Sequence, residues 1–253
     1  MDKDLVPPDS IDDLTDEQLA PFKTEYDVTA ALYELGHEVS PLGVGSDLGV
    51  IRHTIEECKP HIVFNLLEEF SCEAVFDQNV VSYLELLRLP YTGCNPRGML
   101  LARDKALSKQ ILSFHRIRVP DFAVFPRGRA IKRPRKLQFP LIVKSLIEEA
   151  SLGISKASVV DDDNRLTERV RFIHNSIGTD AIAEKFIEGR ELYVGMVGNH
   201  RLQLFPIWEL RFTNASEDTP LIATAKVKWD YKYQKKLGVQ TSEAKDLEPA
   251  TAE

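Results

Sequence analysis

The chain has 253 residues, 43% of them hydrophobic and 28% charged, a balance typical of a globular protein with a sizeable core. Its formal net charge of −7 argues against nucleic acid as the main partner, because nucleic-acid binding favours a basic surface. No apolar run approaches the length of a membrane span, and we expect neither a membrane partner nor a signal peptide at Met1.

The three cysteines, Cys58, Cys72 and Cys94, are widely spaced and form no CxxC zinc pattern. An odd number of cysteines without a metal pattern predicts reduced thiols in a cytoplasmic protein. Because free cysteines behave as small apolar side chains, we expect each one to be buried.

The first part of the chain alternates between predicted helices and short predicted strands. Thr15, followed by Gln18, has the pattern of a helix capping box. The later elements are predicted from apolar periodicity, with helices at 26–35, 51–59 and 76–87 and strands at 37–41, 61–67 and 89–92. This alternation is typical of parallel βαβ units. The glycines at 43–49 lack GxGxxG spacing, which favours a simple connection over a dinucleotide loop.

Glu68 and Glu69 follow the predicted strand at 61–67, where open α/β sheets place their ligands. Two interpretations stay open here, a loop that faces a substrate and a solvated acidic turn. Further on, a helix is predicted at 100–114, with an apolar face formed by Leu107, Ile111 and Phe114.

Lys105 and Lys109 are four residues apart and therefore share another face of that helix. We expect Lys109 to be a surface residue. The basic run at 127–136 resembles a nucleic-acid patch in composition only. In an acidic chain, between two strands, it favours a solvated hairpin loop.

The central stretch of the chain begins with the apolar run at 141–143, which predicts a buried strand and ends in Lys144. A lysine is a compact, flexible cation suited to phosphate. In the polar run that follows, Ser151 and Gly153 allow backbone amides to approach an anion closely. An ordinary surface strand and turn is the alternative, and it stays open on these residues alone.

A second apolar strand carries Ala183, Phe186 and Ile187, which would form a wall for an adenine ring. Glu184 and Glu191 could accept hydrogen bonds from the adenine amine and from ribose hydroxyls.

The remaining elements follow in order: a strand to 160, a turn at 161–164, a helix at about 166–173, and strands at 191–197 and 202–210. Gly198-Asn199 has the glycine-first order of a two-residue hairpin turn. Glu209, on the strand beyond this turn, is a candidate substrate residue. The basic and aromatic segment at 226–236 could stack on single-stranded nucleic acid, which the negative net charge disfavours.

As a whole, the chain resembles the ATP-grasp superfamily, most closely its D-alanine–D-alanine ligase-like branch. The resemblance rests on five blocks in the family's order: FNLLEEF (64–70), LELLRLPYTG (84–93), RDKALSKQIL (103–112), FPLIVK…SLGISK (139–156) and AEKFIEGRELYVGMVG (183–198). It implies an α/β, ATP-grasp-like fold. The implied parts are an N-terminal parallel-sheet (pre-ATP-grasp) lobe at 1–98, a small α+β lid at 99–183 and an incomplete antiparallel C-terminal lobe at 184–253.

By this resemblance the chain is an ATP-dependent carboxylate–amine ligase that acts through an acyl phosphate on small carboxylate and amine substrates. The implied ATP-binding residues are Lys105, Lys144, Ser151, Gly153, Glu184, Lys185, Phe186, Ile187, Glu191 and Lys232. The backbone of Lys185 and Ile187 is expected to read the adenine, and Glu191 to hold the ribose. Glu68 and Glu69 replace the histidine-glycine usual in the D-alanine ligases, which weighs against D-alanine as the substrate.

The family's metal site follows the segment that contains Lys232, as an ARxD strand and an ExN strand. Neither pattern follows Lys236. We therefore expect an incomplete lobe without protein metal ligands, with Mg²⁺ brought by ATP.

The family's first N-terminal strand is also expected to be missing. Two functions stay open, a ligase in truncated form and a non-catalytic nucleotide-binding module. We assign no catalytic residue and expect a possible homodimer.

Overall fold

The computed structural model describes residues 1–149, 151–214, 224, 227 and 230–248. The chain divides into two compact units, Met1–Ala102 and Arg103–Glu253. The expected boundary between residues 183 and 184 stays a prediction. Among the described residues, no helix is long and apolar enough to span a membrane.

The first unit consists mainly of helices joined by loops. Its α-helices are α1 (Asp16–Leu19), α2 (Lys23–Glu34), α3 (Gly49–Cys58), α4 (Asp77–Leu86) and α5 (Pro96–Arg103). Short 3₁₀ turns occupy Lys3–Leu5, Ala20–Phe22 and Ala74–Phe76. The capping box predicted at Thr15 and Gln18 is confirmed. A small core of apolar side chains, namely Val44, Ile51, Leu67, Val80 and Leu84, lies between these elements.

The strands predicted in the first unit do not form a continuous ladder in the described part of the chain. Val63 and Tyr91 form a single parallel bridge, and residues 37–41 form no strand. Side chains replace the ladder beyond this bridge: the Asn65 N–H donates to Thr92 Oγ1, and the Leu67 N–H donates to Asn65 Oδ1. The pairing is parallel, as predicted, but it consists of one residue pair instead of a ladder along the predicted strands.

The glycine-rich segment at 43–49 connects a second parallel bridge, between Asp2 and Val44, to the start of α3. A Cβ atom at Gly43 would lie 2.8 Å from Lys3 Cα. Glycine is therefore required here because two backbone segments approach closely. The segment is a connection between elements, as predicted.

The second unit contains a four-stranded antiparallel sheet between helices. Its elements are α6 (Lys105–Phe114), β1 (Phe122–Phe125), β2 (Leu141–Ser145), β3 (Val159–Val160), α7 (Asp163–Phe172) and β4 (Ala181–Lys185). A 3₁₀ turn occupies Lys156–Ser158, and a π-helical turn at Ile173–Ile177 extends α7. The strand order is β1-β4-β2-β3. Because β1 and β2 both pair with β4, the basic run between them is a crossover connection, and the hairpin prediction is wrong.

One face of this sheet packs against α7. Leu141 and Val143 of β2 are fully buried with Leu166 and Val170 of the helix. Side chains alternate along a strand, so the neighbours of these residues in β2 point to the other face. The register pairs Ile142 with Glu184, and this pairing places the side chains of Lys144 and Glu184 on the same, opposite face.

The helix predicted at 100–114 is divided by Asp104, whose side chain accepts hydrogen bonds from the Ala106 and Leu107 N–H groups and so begins a new helix. Phe114, expected on a core-facing stripe, is 82% exposed. Arg133, in the basic run, forms a bidentate pair with Asp163 and donates to the Leu137 carbonyl. That part of the run is therefore attached to α7 instead of being fully solvated.

The last part of the chain forms a second sheet and a small hairpin. The sheet order is β5 (Glu191–Tyr193), β8 (Trp208–Phe212) and β9 (Val239–Glu243), and α8 (Tyr231–Leu237) precedes β9. The hairpin consists of β6 (Met196–Val197) and β7 (Gln203–Leu204). Val197 pairs with Gln203, so residues 198–202 all lie in the turn, and the prediction of a two-residue Gly198-Asn199 turn is wrong.

All three cysteines are free and exposed. The absence of disulfides among them agrees with the prediction of free thiols, but the prediction that they are buried is wrong. Cys58 ends α3, and Cys72 and Cys94 lie in loops, where few neighbouring elements cover them.

Candidate functional site

Two lysines of the second unit form ion pairs with one buried carboxylate, and a third lysine lies near them. Lys109 Nζ lies 3.0 Å from Glu184 Oε2, and Lys144 Nζ lies 3.4 Å from Glu184 Oε1. Glu184 is only 4% exposed. Its neighbour Lys105 belongs to the same group, because its ammonium is close enough to Lys144 and Glu184 for their charges to affect its pKa. We call Lys105, Lys109 and Lys144 the lysine cluster.

Helix α6 places two members of this cluster. Asp104 fixes the first turn, and residues four apart on a helix share a face, so Lys105 and Lys109 project to the same side. The Lys105 ammonium donates to the Glu148 carbonyl at 2.6 Å. Burial lowers the pKa of Lys105 and the charge of Lys144 lowers it further, while the acidic residues nearby, Glu149 foremost, oppose the shift. Converging ammonium groups of this kind favour a polyanionic ligand.

Residues 151–154, which we call the glycine loop, follow the segment that Lys105 contacts. Ser151 has a φ of 63° and Gly153 a φ of 70°, both in the left-handed region. Alternation of backbone conformation of this kind forms concavities that bind anions. A Cβ atom at Gly153 would lie 3.1 Å from Ile177 Cδ1, so glycine is favoured there on both conformational and steric grounds.

The end of β4 contains the residues predicted to form the adenine wall. The Lys185 N–H donates to the Asp121 carbonyl, and the Phe186 N–H donates to the Pro140 carbonyl. The Lys185 ammonium donates to the Phe139 carbonyl. Ile187 is 63% exposed, and its N–H has no backbone acceptor within the described residues. The backbone donor left open at this edge is therefore that of Ile187, one of the two residues expected to read the adenine.

The other predicted residues lie outside these contacts. Glu191, on β5, accepts a hydrogen bond from the Tyr193 hydroxyl, and burial and this bond raise the pKa of Tyr193. Lys232 is exposed on α8, and Glu68 and Glu69 lie in a loop of the first unit. The roles of these four residues in binding stay predictions.

Glu209 is buried on β8 between two arginines. Arg190 and Arg211 each donate two hydrogen bonds to its carboxylate. These bonds, the one from Arg190 first, lower the pKa of Glu209 to about 2. Both carboxylate oxygens are thus engaged by structural partners, and the proposed contact of Glu209 with a substrate stays a prediction.

Lys109 was expected to be a surface residue, and this prediction is wrong. Its side chain is 17% exposed and forms the shorter of the two ion pairs to Glu184. The four-residue spacing from Lys105 was the signal in the sequence that could have identified it.

The described part of the chain contains no cluster of three or more histidine, cysteine, aspartate or glutamate residues that could bind a metal ion.

Comparison with known proteins identifies a family and several relatives of this chain. Residues 111–245 match the model of the family described as "D-ala D-ala ligase C-terminus". An uncharacterized protein of Sinorhizobium fredii is 32% identical over 214 residues, which cover 81% of this chain and 59% of the relative. The D-alanine–D-alanine ligase of Syntrophotalea carbinolica is 31% identical over 196 residues, covering 77% of this chain and 60% of that enzyme.

Among solved structures, the D-alanine–D-alanine ligase of Bacillus anthracis is similar with a TM-score of 0.61 at 22% identity, over 94% of this chain and 70% of the enzyme. The same enzyme complexed with ATP gives a TM-score of 0.59 at 22% identity, over 94% and 69% of the two chains. These likenesses concern the fold. The chain spans about three fifths of the length of the curated relatives it matches. The family model nevertheless covers more than half of the chain, and the chain belongs to the D-alanine–D-alanine ligase-like branch of the ATP-grasp superfamily.

Proposed function

We propose that this chain binds ATP at the lysine cluster and belongs to a carboxylate–amine ligase that acts through an acyl phosphate. The observation that carries the proposal is the pairing of Lys109 and Lys144 with Glu184, with Lys105 nearby, next to a loop with two left-handed residues. Family membership supports the same reading. In this reaction type, ATP phosphorylates a carboxylate and an amine then attacks the acyl phosphate.

The lysine cluster and the glycine loop are proposed to hold the phosphates. Lys105 and Lys144 supply charge, and the backbone at Ser151 and Gly153 supplies the concavity for an anion. Because Glu184 is already engaged by two lysines, we assign its carboxylate to positioning them instead of to the adenine amine.

The adenine is proposed to lie against Phe186 and Ile187, at the open end of β4. The Ile187 N–H, on an exposed residue and without a backbone acceptor among the described residues, is a suitable donor to a ring nitrogen. Glu191 is proposed to hold the ribose after exchanging its hydrogen bond with Tyr193 for one with a ribose hydroxyl. Lys232 is proposed as a further phosphate contact, and Glu68, Glu69 and Glu209 as substrate contacts.

The protein's contribution to the chemistry is electrostatic. Fixed ammonium groups stabilise charge that develops on a transferring phosphoryl group, without acting as acid or base. Magnesium is proposed to arrive with ATP and would neutralise phosphate charge. The described residues contain no cluster that fits it, so we assign it no protein ligand.

Calorimetric titration with ATP, with and without magnesium, tests the site. Each of the changes Lys105→Ala and Lys144→Ala should weaken ATP binding by about 1–3 kcal/mol, the range of a lost charged hydrogen bond. Lys132→Ala, at an exposed lysine of the same unit, is the matched control and should leave the affinity unchanged. A well-folded double variant with wild-type affinity would refute the phosphate role of this pair.

A second titration tests the proposed ribose contact. Glu191→Ala should lose affinity for ATP and lose much less for 2′,3′-dideoxy-ATP, because the dideoxy nucleotide lacks the hydroxyls that the carboxylate would bind. Equal losses for the two nucleotides would contradict this role.

Phosphate release from ATP, measured with a panel of amino acids and hydroxy acids, tests the ligase reaction itself. Release that depends on an added substrate, at about 1 per second or faster, supports the ligase. Tight ATP binding without such release supports the alternative, a nucleotide-binding module. We further propose a cytoplasmic location, which the three free thiols favour, and a homodimer, which light scattering would test.

A further inference from the structure

Arg169, on α7, is a buried cation that forms no ion pair with a carboxylate within the part of the chain that the structure describes. It is 9% exposed, and burial lowers its pKa. Its Nε is buried and has no hydrogen-bond partner among the described residues. Burying a guanidinium in this way is costly, so its remaining contacts call for an explanation.

Those contacts lead directly to the glycine loop. The Arg169 guanidinium donates to the Gly153 carbonyl, and its Cζ lies 4.2 Å from the centre of the Phe172 ring. Gly153 itself packs on Ile177 and Phe172, since a Cβ atom there would lie 3.1 Å and 3.5 Å from those side chains. One face of α7 and of the π-helical turn after it therefore forms a platform under the loop.

We propose that Arg169 is a positioning residue that holds the glycine loop in the conformation that receives the phosphates of the nucleotide. The Phe172 ring restricts the guanidinium, and the guanidinium fixes the Gly153 carbonyl. Within the loop, the Leu152 and Ile154 N–H groups donate to the Glu149 and Ser151 carbonyls, so the Gly153 N–H is the backbone donor that we assign to a ligand. The inference rests on the proposed function, because it assumes that this loop binds phosphate. Arg169 lies on the face of the sheet that packs against α7, opposite the face that carries Lys144 and Glu184.

Amide hydrogen exchange and ATP titration of the full chain test the proposal together. Arg169→Met should speed exchange of the amides at 151–154 by about tenfold or more, with exchange in β2 unchanged. It should also weaken ATP binding by about tenfold while leaving adenosine binding unchanged, because adenosine has no phosphates. Arg171→Met, the same change at an exposed arginine of the same helix, should alter neither measurement.

Arg169→Lys provides a second variant should the methionine variant fail to fold. A lysine keeps the charge and can make one hydrogen bond, so we expect an intermediate loss of ATP affinity. Wild-type loop exchange and ATP affinity in a folded Arg169 variant would overturn the proposal, as would equal losses for ATP and adenosine. If the wild-type chain binds no ATP, the proposed function fails, and the exchange measurement in the free protein still decides whether Arg169 orders the loop.

Discussion

Replacing Lys109 with methionine should destabilise the second unit, because the change removes one of two cations that compensate a buried carboxylate. Lys109 and Lys144 lie 3.0 Å and 3.4 Å from the two oxygens of Glu184. At an effective dielectric constant of about 20, a pair of unit charges ~3 Å apart interacts by roughly 5 kcal/mol. Desolvation offsets most of this, and losing one partner of a buried pair costs about 3–5 kcal/mol. Because Lys144 remains, we expect a loss of about 1–3 kcal/mol in unfolding free energy.

Urea unfolding near neutral pH measures this loss. Lys132→Met is the matched control, since it makes the same change at an exposed lysine of the same unit. A double-mutant cycle with Glu184→Gln isolates the pair and should give a coupling free energy of about 0.5–3 kcal/mol. A Lys109→Met variant as stable as the control, or a coupling energy near zero, would refute the reasoning.

Three further outcomes are expected. Glu209→Gln should destabilise the protein at neutral pH and progressively less as the pH falls from about 4.5 towards 2, because a lowered carboxyl pKa stabilises the fold above that range; a difference in urea midpoint that does not change with pH would contradict this. Gly238→Ala should cost about 2 kcal/mol or more in urea unfolding, since φ is +62° and the new Cβ would lie 2.1 Å from Thr213 Oγ1, whereas Gly128→Ala, in open space at φ +73°, should cost about 1 kcal/mol. Cys58, Cys72 and Cys94 should all react with a thiol reagent in the native protein, and a count that rises only in denaturant would contradict their exposure.

Much of the second unit could be predicted from local sequence. The apolar run at 141–143 forms the buried strand β2, and Lys144 lies on the face opposite α7 because side chains alternate along a strand. The helix around Leu166 and Val170 also forms, since its apolar spacing matches the face that packs on the sheet.

What could not be predicted depends on partners that are distant in sequence. The spacing of Lys109 from Lys105 reveals a shared helix face but not that Glu184 lies across from it, so Lys109 resembled a surface lysine. The turn after Val197 is longer than two residues because strand pairing begins only at Gln203. In the first unit, the hydrogen bond from the Asn65 N–H to Thr92 replaces a ladder that apolar periodicity alone predicted.

The position of β4 in the sheet has a consequence for how the protein folds. β4 lies between β1 and β2 but follows both of them in the sequence. During synthesis, β1 therefore has no pairing partner, and β2 can pair only with β3, until Ala181–Lys185 has left the ribosome, so edges of both strands stay unpaired. Such unpaired strands expose the chain to aggregation, and long-range closure slows folding. Because the same segment carries Glu184, substitutions there should lower the yield of folded protein as well as affect the proposed ATP site.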